Sequence, residues 1–172
     1  MRVLAAAAVA ALLLTGCAQR SGVAAVVDGQ PITEATLAET VADVAAISPA
    51  TPRNVLQALI VSSFWIEAAS EAGLGASEQE GRALLDQLVS DSGGDPAAEQ
   101  YGPGLVRIAR VLVAQQKATD RGQEHEQALT AAAAARILVA DVEVSPRYGQ
   151  WSGEVVVPVL PSWFVGAPLG GG

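Results

Sequence analysis

The sequence predicts a mainly α-helical domain that a small β-ribbon closes. Helix-start signals recur through the middle of the chain, and each is followed by apolar residues at spacings of three and four. Valine-rich runs that suit strands lie near the two ends, at residues 23–27 and 141–157. Because a single strand needs a hydrogen-bonding partner, we expect the two ends of the helical body to pair.

The first strand is expected at residues 23–27, followed by a tight turn at Asp28 and Gly29. Glycine tolerates a positive φ and aspartate nearly does, which is what such a turn requires. Two later segments are good candidates for its partner, residues 141–144 and residues 154–157. Prolines at 158 and 161 would confine the second candidate to the edge of a sheet.

The first helix is predicted to begin after Thr33, a natural N-cap. Ile32 before the cap and Leu37 after it are placed as a hydrophobic staple, which fixes how the chain enters a helix. Leu37, Val41 and Val44 then recur at spacings of four and three. The proline that follows Ser48 indicates that this helix ends near residues 48–49.

Two further helices follow from similar signals. Thr51 followed by Pro52 places a cap before an N1 proline, and the apolar pattern then continues to residues 72–73. Ser77 with Glu80 forms a capping box that opens the third helix. The positions of the third helix that we expect to face inward are Leu84, Leu85, Leu88 and Val89.

The fourth and fifth helices complete the body. Pro103 is expected to start the fourth helix, which should run to about Ala118. Its apolar face carries Leu105, Ile108, Ala109 and Leu112. The fifth is expected from about Gln123 to Leu138, and its alanine run at residues 131–135 should let a neighbouring helix approach closely.

The start of the chain is typical of a bacterial lipoprotein. Arg2 is followed by residues 3–14, which are all valine, leucine or alanine, and then by Thr15, Gly16 and Cys17. We expect a signal peptide at residues 1–16, cleavage between Gly16 and Cys17, and a diacylglycerol on the Cys17 thiol. Residues 17–22 would then be the lipidated tether, on the extracytoplasmic face of a membrane in the cell envelope. The alternative is a stray thiol in an ordinary secretory leader.

Composition limits the function classes. Removing residues 1–16 from the 172 leaves 156, enough for one domain. This mature part has no pair of cysteines, so neither a disulfide nor a thiolate zinc site is expected. Losing Arg2 takes the net charge from −8 to −9, which argues against nucleic acid. No later segment offers about 20 apolar residues without a charge, so the lipid alone should anchor the protein.

Candidate catalytic groups are few. His125 is the single histidine, and its neighbours Glu124 and Glu126 point about 100° apart on a helix, so the three cannot converge on one metal ion. Glu67 and Glu71 lie one helical turn apart, either as a carboxylate pair or as a polar helix face. We therefore expect no enzyme, and no metal, cofactor or small-molecule substrate.

Aromatic residues suggest a binding surface. Phe64 and Trp65 are adjacent on a predicted helix, so one should enter the core while the other reaches the surface or a partner. Core packing alone is the competing explanation. The candidate polypeptide-binding residues are Trp65, Tyr148 and Trp151.

Three segments, in this order, resemble the N-terminal chaperone domain of SurA- and PrsA-type periplasmic foldases, which is also similar to the peptide-binding arm of trigger factor. The first is residues 26–33, with Asp28 where the family usually has asparagine. The second is the long helix through residues 59–74, followed by the Ser77 cap. The third is residues 142–151, which contain a Pro-Arg-Tyr-Gly turn. The resemblance covers residues 23–151 and leaves 152–172 as a tail rich in valine, proline and glycine.

The resemblance implies that the N-terminal strand pairs with the strand after the last helix, and that the protein binds unfolded or exported polypeptides. The parvulin domain usual in the family is missing, so prolyl isomerase activity is not expected. The sequence therefore predicts a membrane-anchored lipoprotein with chaperone-like binding. An envelope scaffold or accessory lipoprotein that binds one dedicated protein is the alternative, and an enzyme using His125 or carboxylates is a third.

Overall fold

The computed structural model describes residues 22–96 and 100–159. The predicted signal peptide, the lipidation site Cys17 and the end of the tail, residues 160–172, lie outside the described residues. The described chain is mainly helical with a small antiparallel sheet, as predicted. Its elements are β1 (Val23–Val27), β2 (Gln30–Thr33), α1 (Glu34–Ala45), α2 (Pro52–Glu71), α3 (Glu78–Asp91), α4 (Pro103–Arg121), α5 (Gln123–Val139), β3 (Val142–Val144), β4 (Gln150–Trp151) and β5 (Val156–Val157).

β1 is the central strand of a three-stranded sheet with the order β2-β1-β3. It runs antiparallel to β3, with Ala25 opposite Val144 and Val27 opposite Val142. Beyond the ladder, the Asp28 amide donates to the Asp141 carbonyl at 2.8 Å, and the Asp141 amide donates to Asp28 Oδ1 at 2.9 Å. The predicted pairing of the two ends is therefore confirmed, and the first of the two candidate segments is the partner.

β2 was not predicted from the sequence. Asp28 (φ 48°) and Gly29 (φ 78°) form the expected tight turn, and the chain after it pairs back on β1, with Pro31 opposite Val26. The proline is tolerated because β2 is an edge strand. Thr33 ends this strand and also caps α1, as predicted, since its Oγ1 accepts from the Thr36 amide at 3.0 Å.

The part of the tail that the structure describes folds back on α2. β4 pairs with β5 in a two-stranded ribbon, and Gln57 of α2 binds both sides of this segment. Gln57 Nε2 donates to the Glu154 carbonyl at 2.9 Å, and its Oε1 accepts from the Val156 amide at 2.5 Å. Val156 is buried in the core formed by the sheet, α1 and α2. The body therefore continues past residue 151.

The predicted caps of α2 and α3 are confirmed. Thr51 Oγ1 accepts from the Asn54 amide at 3.3 Å, and Pro52 occupies the first turn of α2. Ser77 and Glu80 form the complete capping box of α3. The starts of α2 and α3 therefore lie at the residues that the caps predicted. The predicted ends of α1 and α4 differ from those in the structure by about three residues.

Two glycines let neighbouring helices approach α4 closely. A Cβ on Gly104 would lie 1.9 Å from Thr40 Oγ1. The Thr40 side chain of α1 therefore packs directly against the backbone of α4 at this point. A Cβ on Gly81 would lie 3.0 Å from the Val106 carbonyl, which shows the same close approach between α3 and α4. α4 is thus the helix around which α1, α3 and α5 are arranged.

Small residues also join α5 to the body. One cluster of buried residues combines alanines of α2, α4 and α5 with two leucines, and its members are Ala68, Ala69, Leu74, Ala114, Ala118, Leu129 and Ala133. The alanine-rich sequence of α5 therefore allows the close approach that was predicted, although within the run it is Ala133 that becomes fully buried.

Two leucines predicted to belong to packed helix faces are on the surface. Leu88 of α3 is 37% exposed and Leu112 of α4 is 47% exposed. Leu105 and Leu112 share a face of α4, but the close contacts of α1 with this helix lie at its start, where Thr40 meets Gly104 and Asp43 Oδ2 accepts from the Gly102 amide. α3 contacts α4 through Gly81 and Leu85. The apolar face of α3 is therefore wider than the part of that face that is buried.

Across the described residues, no helix has the length and apolar character needed to cross a membrane.

Replacing Gly104 by alanine should destabilise the fold, because the added methyl group overlaps Thr40 Oγ1. We expect a loss of about 1–3 kcal/mol in the free energy of unfolding, measured by urea denaturation. Gly75→Ala is the matched control, since its Cβ would meet Ser70 at an ordinary 3.5 Å. In a double-mutant cycle, Thr40→Ala should recover part of the loss. Equal losses in both glycine variants would contradict this packing.

Candidate functional site

A groove along α4 is lined mainly by apolar side chains. Its volume is about 610 Å³. α3 contributes Leu84 and Leu88, α4 contributes Leu112, α5 contributes Leu129, and Trp65 reaches it from α2. We call this the α4 groove. Its polar lining residues include Gln116, Lys117, Glu126 and Thr130.

A second groove meets the first at Leu88. It has a volume of about 390 Å³ and lies between the C-terminal ends of α1 and α3 and the start of α4. Its apolar lining includes Ile47, Val89, Tyr101 and Leu105, while Asp43 supplies a carboxylate. We call it the α1 groove. Because Leu88 lines both grooves, the two are neighbours on α3.

Three large apolar side chains in these grooves are open to solvent. Ile47 is 45% exposed, and Leu88 and Leu112 are exposed to a similar degree. Single exposed apolar residues are ordinary on protein surfaces, but three in two neighbouring grooves mark a candidate binding surface. Such a surface holds ligands by removing apolar area from water, which needs no particular ligand sequence.

An ion pair fixes one edge of the α4 groove. Lys117 Nζ lies 2.7 Å from Glu80 Oε1 and also donates to the Gly75 carbonyl at 2.8 Å. The hydrogen bond from Lys117, followed by those from Ser77, lowers the pKa of the Glu80 carboxyl to about 2. Lys117 therefore joins α4 to the start of α3 and sets the position of a positive charge beside the apolar lining.

As predicted, one of the adjacent residues Phe64 and Trp65 lies in the core and the other reaches the surface. Phe64 is 2% exposed and belongs to the core formed by the sheet, α1 and α2. Trp65 is half-buried, packs against the alanine-rich cluster and lines the α4 groove. Of the three candidate binding aromatics, Trp65 is thus the one that the structure places in the candidate site.

Tyr148 and Trp151 lie elsewhere. Both are half-buried and pack against the core of the sheet, α1 and α2. Arg53 Nε donates to the Tyr148 carbonyl at 3.0 Å, and the Arg147 guanidinium lies 5.8 Å from the centre of the Tyr148 ring. Arg147 also pairs with Glu34 at 2.6 Å. These contacts attach the Pro-Arg-Tyr-Gly turn to α1 and α2, and the structure does not bring the three aromatics together.

The exposed apolar residues that line the grooves were not predicted from the sequence. Leu88 and Leu112 were expected on packed faces, and Ile47 was not considered at all. A signal was present for Leu88, because four apolar positions within six residues of α3 are more than one neighbouring helix can cover.

The remaining candidate groups do not form a cluster. His125 is exposed in the first turn of α5. Glu71 pairs with Arg136, and the hydrogen bond and charge of that guanidinium lower the pKa of the Glu71 carboxyl. The partner of the Glu71 carboxyl is thus the Arg136 guanidinium, which favours its ionised form. The described residues contain no group of three side chains that could hold a metal ion.

Comparison with known proteins adds no relative. No family model, no curated protein and no solved structure matches the chain. The interpretation of the grooves therefore depends on their geometry and on the sequence.

The depressed pKa of Glu80 makes a pH-dependent contribution to stability. Because the pKa falls from 4.5 to about 2, this contribution is present above pH 4.5 and is lost as the pH falls towards 2. NMR titration should give a pKa of about 2 for Glu80 in the wild-type protein. Lys117→Met should raise it towards 4.5, since the largest cause is removed.

Arg121→Met is the control for this experiment. Arg121 Nη2 donates to the Gly73 carbonyl at 3.3 Å and is the neighbouring cation on the same helix. This variant should leave the Glu80 pKa near its wild-type value. A Glu80 pKa that does not change in Lys117→Met would contradict the assigned cause.

Proposed function

We propose that this protein is a membrane-anchored extracytoplasmic lipoprotein that binds unfolded or exported polypeptides in a chaperone-like way, without prolyl isomerase catalysis. The observation that carries the proposal is the pair of neighbouring grooves, the α4 groove and the α1 groove, which share the partly exposed Leu88. Together they offer apolar lining with polar residues beside it.

Two neighbouring grooves suit an extended chain better than a compact ligand. They have volumes of about 610 Å³ and 390 Å³, and an extended segment that lies across Leu88 would contact both. Apolar linings with polar rims accept many sequences, because apolar burial lacks the directional requirements of hydrogen bonds. Asp43 and Glu126 line the grooves, and Lys117, the cation in the lining, is paired with Glu80. With a net charge of −8 on the chain, this favours segments that combine apolar and basic residues.

The arrangement of the chain ends also supports the proposal. The resemblance to SurA- and PrsA-type domains implies that the first strand pairs with the strand after the last helix, and β1 and β3 pair in this way. The same resemblance implies polypeptide binding by a helical body. Polypeptide binding of this kind requires surface complementarity and no reacting group.

The proposed anchor would keep the grooves near a membrane. If Cys17 carries the lipid, the tether of residues 17–22 spans at most about 20 Å before β1 begins at Val23. The helical body would then work where exported chains emerge, before they have buried their own apolar residues.

Chaperone-like binding predicts that the unlipidated protein, residues 18–172, suppresses the aggregation of several unrelated unfolded proteins. Light scattering during dilution from denaturant measures this effect. The double variant Leu88→Ser and Leu112→Ser should lose most of the suppression, because it removes apolar contacts from both grooves. Both side chains are partly exposed, so we expect each change to alter stability by no more than about 1 kcal/mol.

The control is the double variant Leu138→Ser and Val139→Ser. These residues are 67% and 84% exposed at the end of α5 and do not line either groove. This variant should suppress aggregation as well as the wild type does. If the wild-type protein protects no client and instead captures one protein from an envelope extract, the protein is a dedicated scaffold or accessory lipoprotein.

The lipoprotein assignment predicts that Cys17→Ser abolishes lipid attachment. In a bacterial host, the wild-type protein should fractionate with membranes, and mass spectrometry should show a modified Cys17 at the new N-terminus. The serine variant should lack the lipid mass and retain the uncleaved leader. An unmodified Cys17 in a processed wild-type protein would leave an ordinary secretory leader as the correct interpretation.

A further inference from the structure

A separate pocket between α2, α3 and α4 gathers three arginines. It has a volume of about 340 Å³ and shares no lining residue with the α4 groove or the α1 groove. Arg82 comes from α3, while Arg107 and Arg110 come from α4. We call it the arginine pocket. The rest of its lining consists of Ser63, Ile66, Glu67, Glu78, Pro103 and Val106.

Neutral oxygens hold all three arginines in place. Arg82 Nη1 donates to the Tyr101 carbonyl at 3.2 Å, and Arg110 Nε donates to the Ala76 carbonyl at 2.7 Å. Arg107 Nη2 donates to Ser63 Oγ. A guanidinium has five N–H donors, so these bonds position each group and leave most of its donors available.

None of the three guanidiniums forms an ion pair within the described residues. The cations that do so are Lys117, Arg136 and Arg147, each with its own glutamate. The pocket lining carries three positive charges and two negative charges, a net charge of +1 in a chain whose net charge is −8. The arginine pocket is therefore a local positive region on an acidic protein.

Arg107 is half-buried in the pocket. Burial, followed by the nearby charge of Arg110, lowers the pKa of its guanidinium. The charge of Glu67 offsets this in part. An anion in the pocket would relieve the repulsion between Arg107 and Arg110, because both face the same space one helical turn apart.

The helix arrangement gives the pocket a fixed shape. Gly81 lets α3 approach the α4 backbone closely at Arg110 and Val106, which brings Arg82 alongside the two arginines of α4. Pro103, the first residue of α4, also lines the pocket, so the positive end of that helix dipole adds to the field. The guanidiniums are thus carried by helices rather than by loops.

We propose that the arginine pocket binds the oxyanion group of a small organic molecule, a phosphate or a carboxylate. The guanidiniums suit this chemistry because their planar N–H pairs match two oxygens of such a group. The pocket is larger than a lone ion requires, and Ile66, Pro103 and Val106 offer apolar contacts to the rest of the ligand. This binding is independent of the proposed chaperone-like function.

The test titrates the full 172-residue chain, in nonionic detergent, with inorganic phosphate in one arm and acetate in the other. Ionic strength is held constant with chloride. Changes in ¹H–¹⁵N NMR spectra should localise to Ser63, Arg107 and their neighbours and should saturate. Saturation by phosphate identifies a phosphate ligand, and saturation by acetate identifies a carboxylate ligand.

Arg82→Gln and Arg107→Gln should each weaken this binding about tenfold, since each removes charged hydrogen bonds to the anion. Arg53→Gln is the matched control, because it removes the same charge from the exposed start of α2, beside the Tyr148 carbonyl. It should leave the affinity unchanged. If Arg107→Gln does not fold, the exposed Arg82 carries the test. Absence of saturable binding, or equal weakening in Arg53→Gln, would overturn the proposal.

Discussion

The pairing of β1 with β3 is the interaction on which the rest of the fold depends. These strands are separated by the whole helical body, and their ladder ends in the two reciprocal hydrogen bonds between Asp28 and Asp141. β1 is buried on both faces from Ala24 to Val27, so it supplies the surface on which α1 and α2 pack. Its small alanines allow α2 to lie close. Without β3, this strand would present unpaired backbone groups inside an apolar core.

α4 is the second organising element, and its packing explains why the grooves exist. Gly81 and Gly104 allow very close helix contacts, but each contact covers only a small part of the surface of α4. α1 meets α4 at its start, through Thr40 and Asp43, and α3 meets it through Gly81 and Leu85. The leucines beyond these contacts, Leu88 and Leu112, stay partly in water. The same close packing of α3 on α4 places three arginines around one pocket.

Local signals in the sequence predicted the elements well, and tertiary context decided what was missed. The caps at Thr33, Thr51 and Ser77, together with the valine run of β1, act through their nearest neighbours and could be recognised directly. β2 is short, contains a proline and exists because β1 offers it an edge. The exposure of Leu112 depends on where the neighbouring helices contact α4, and the arginine pocket depends on the arrangement of three helices. Neither property is encoded in the spacing of residues along one helix.

The attachment of α3 has a mechanical consequence. Its packing is almost entirely against α4, whereas α2 contacts the sheet, α1, α4 and α5. The position of α3 therefore depends on this one contact, which Gly81 makes close and the ion pair between Lys117 and Glu80 supports. Because α3 carries Leu84, Leu88 and Arg82, the same contact sets the width of both grooves and the position of one arginine in the arginine pocket.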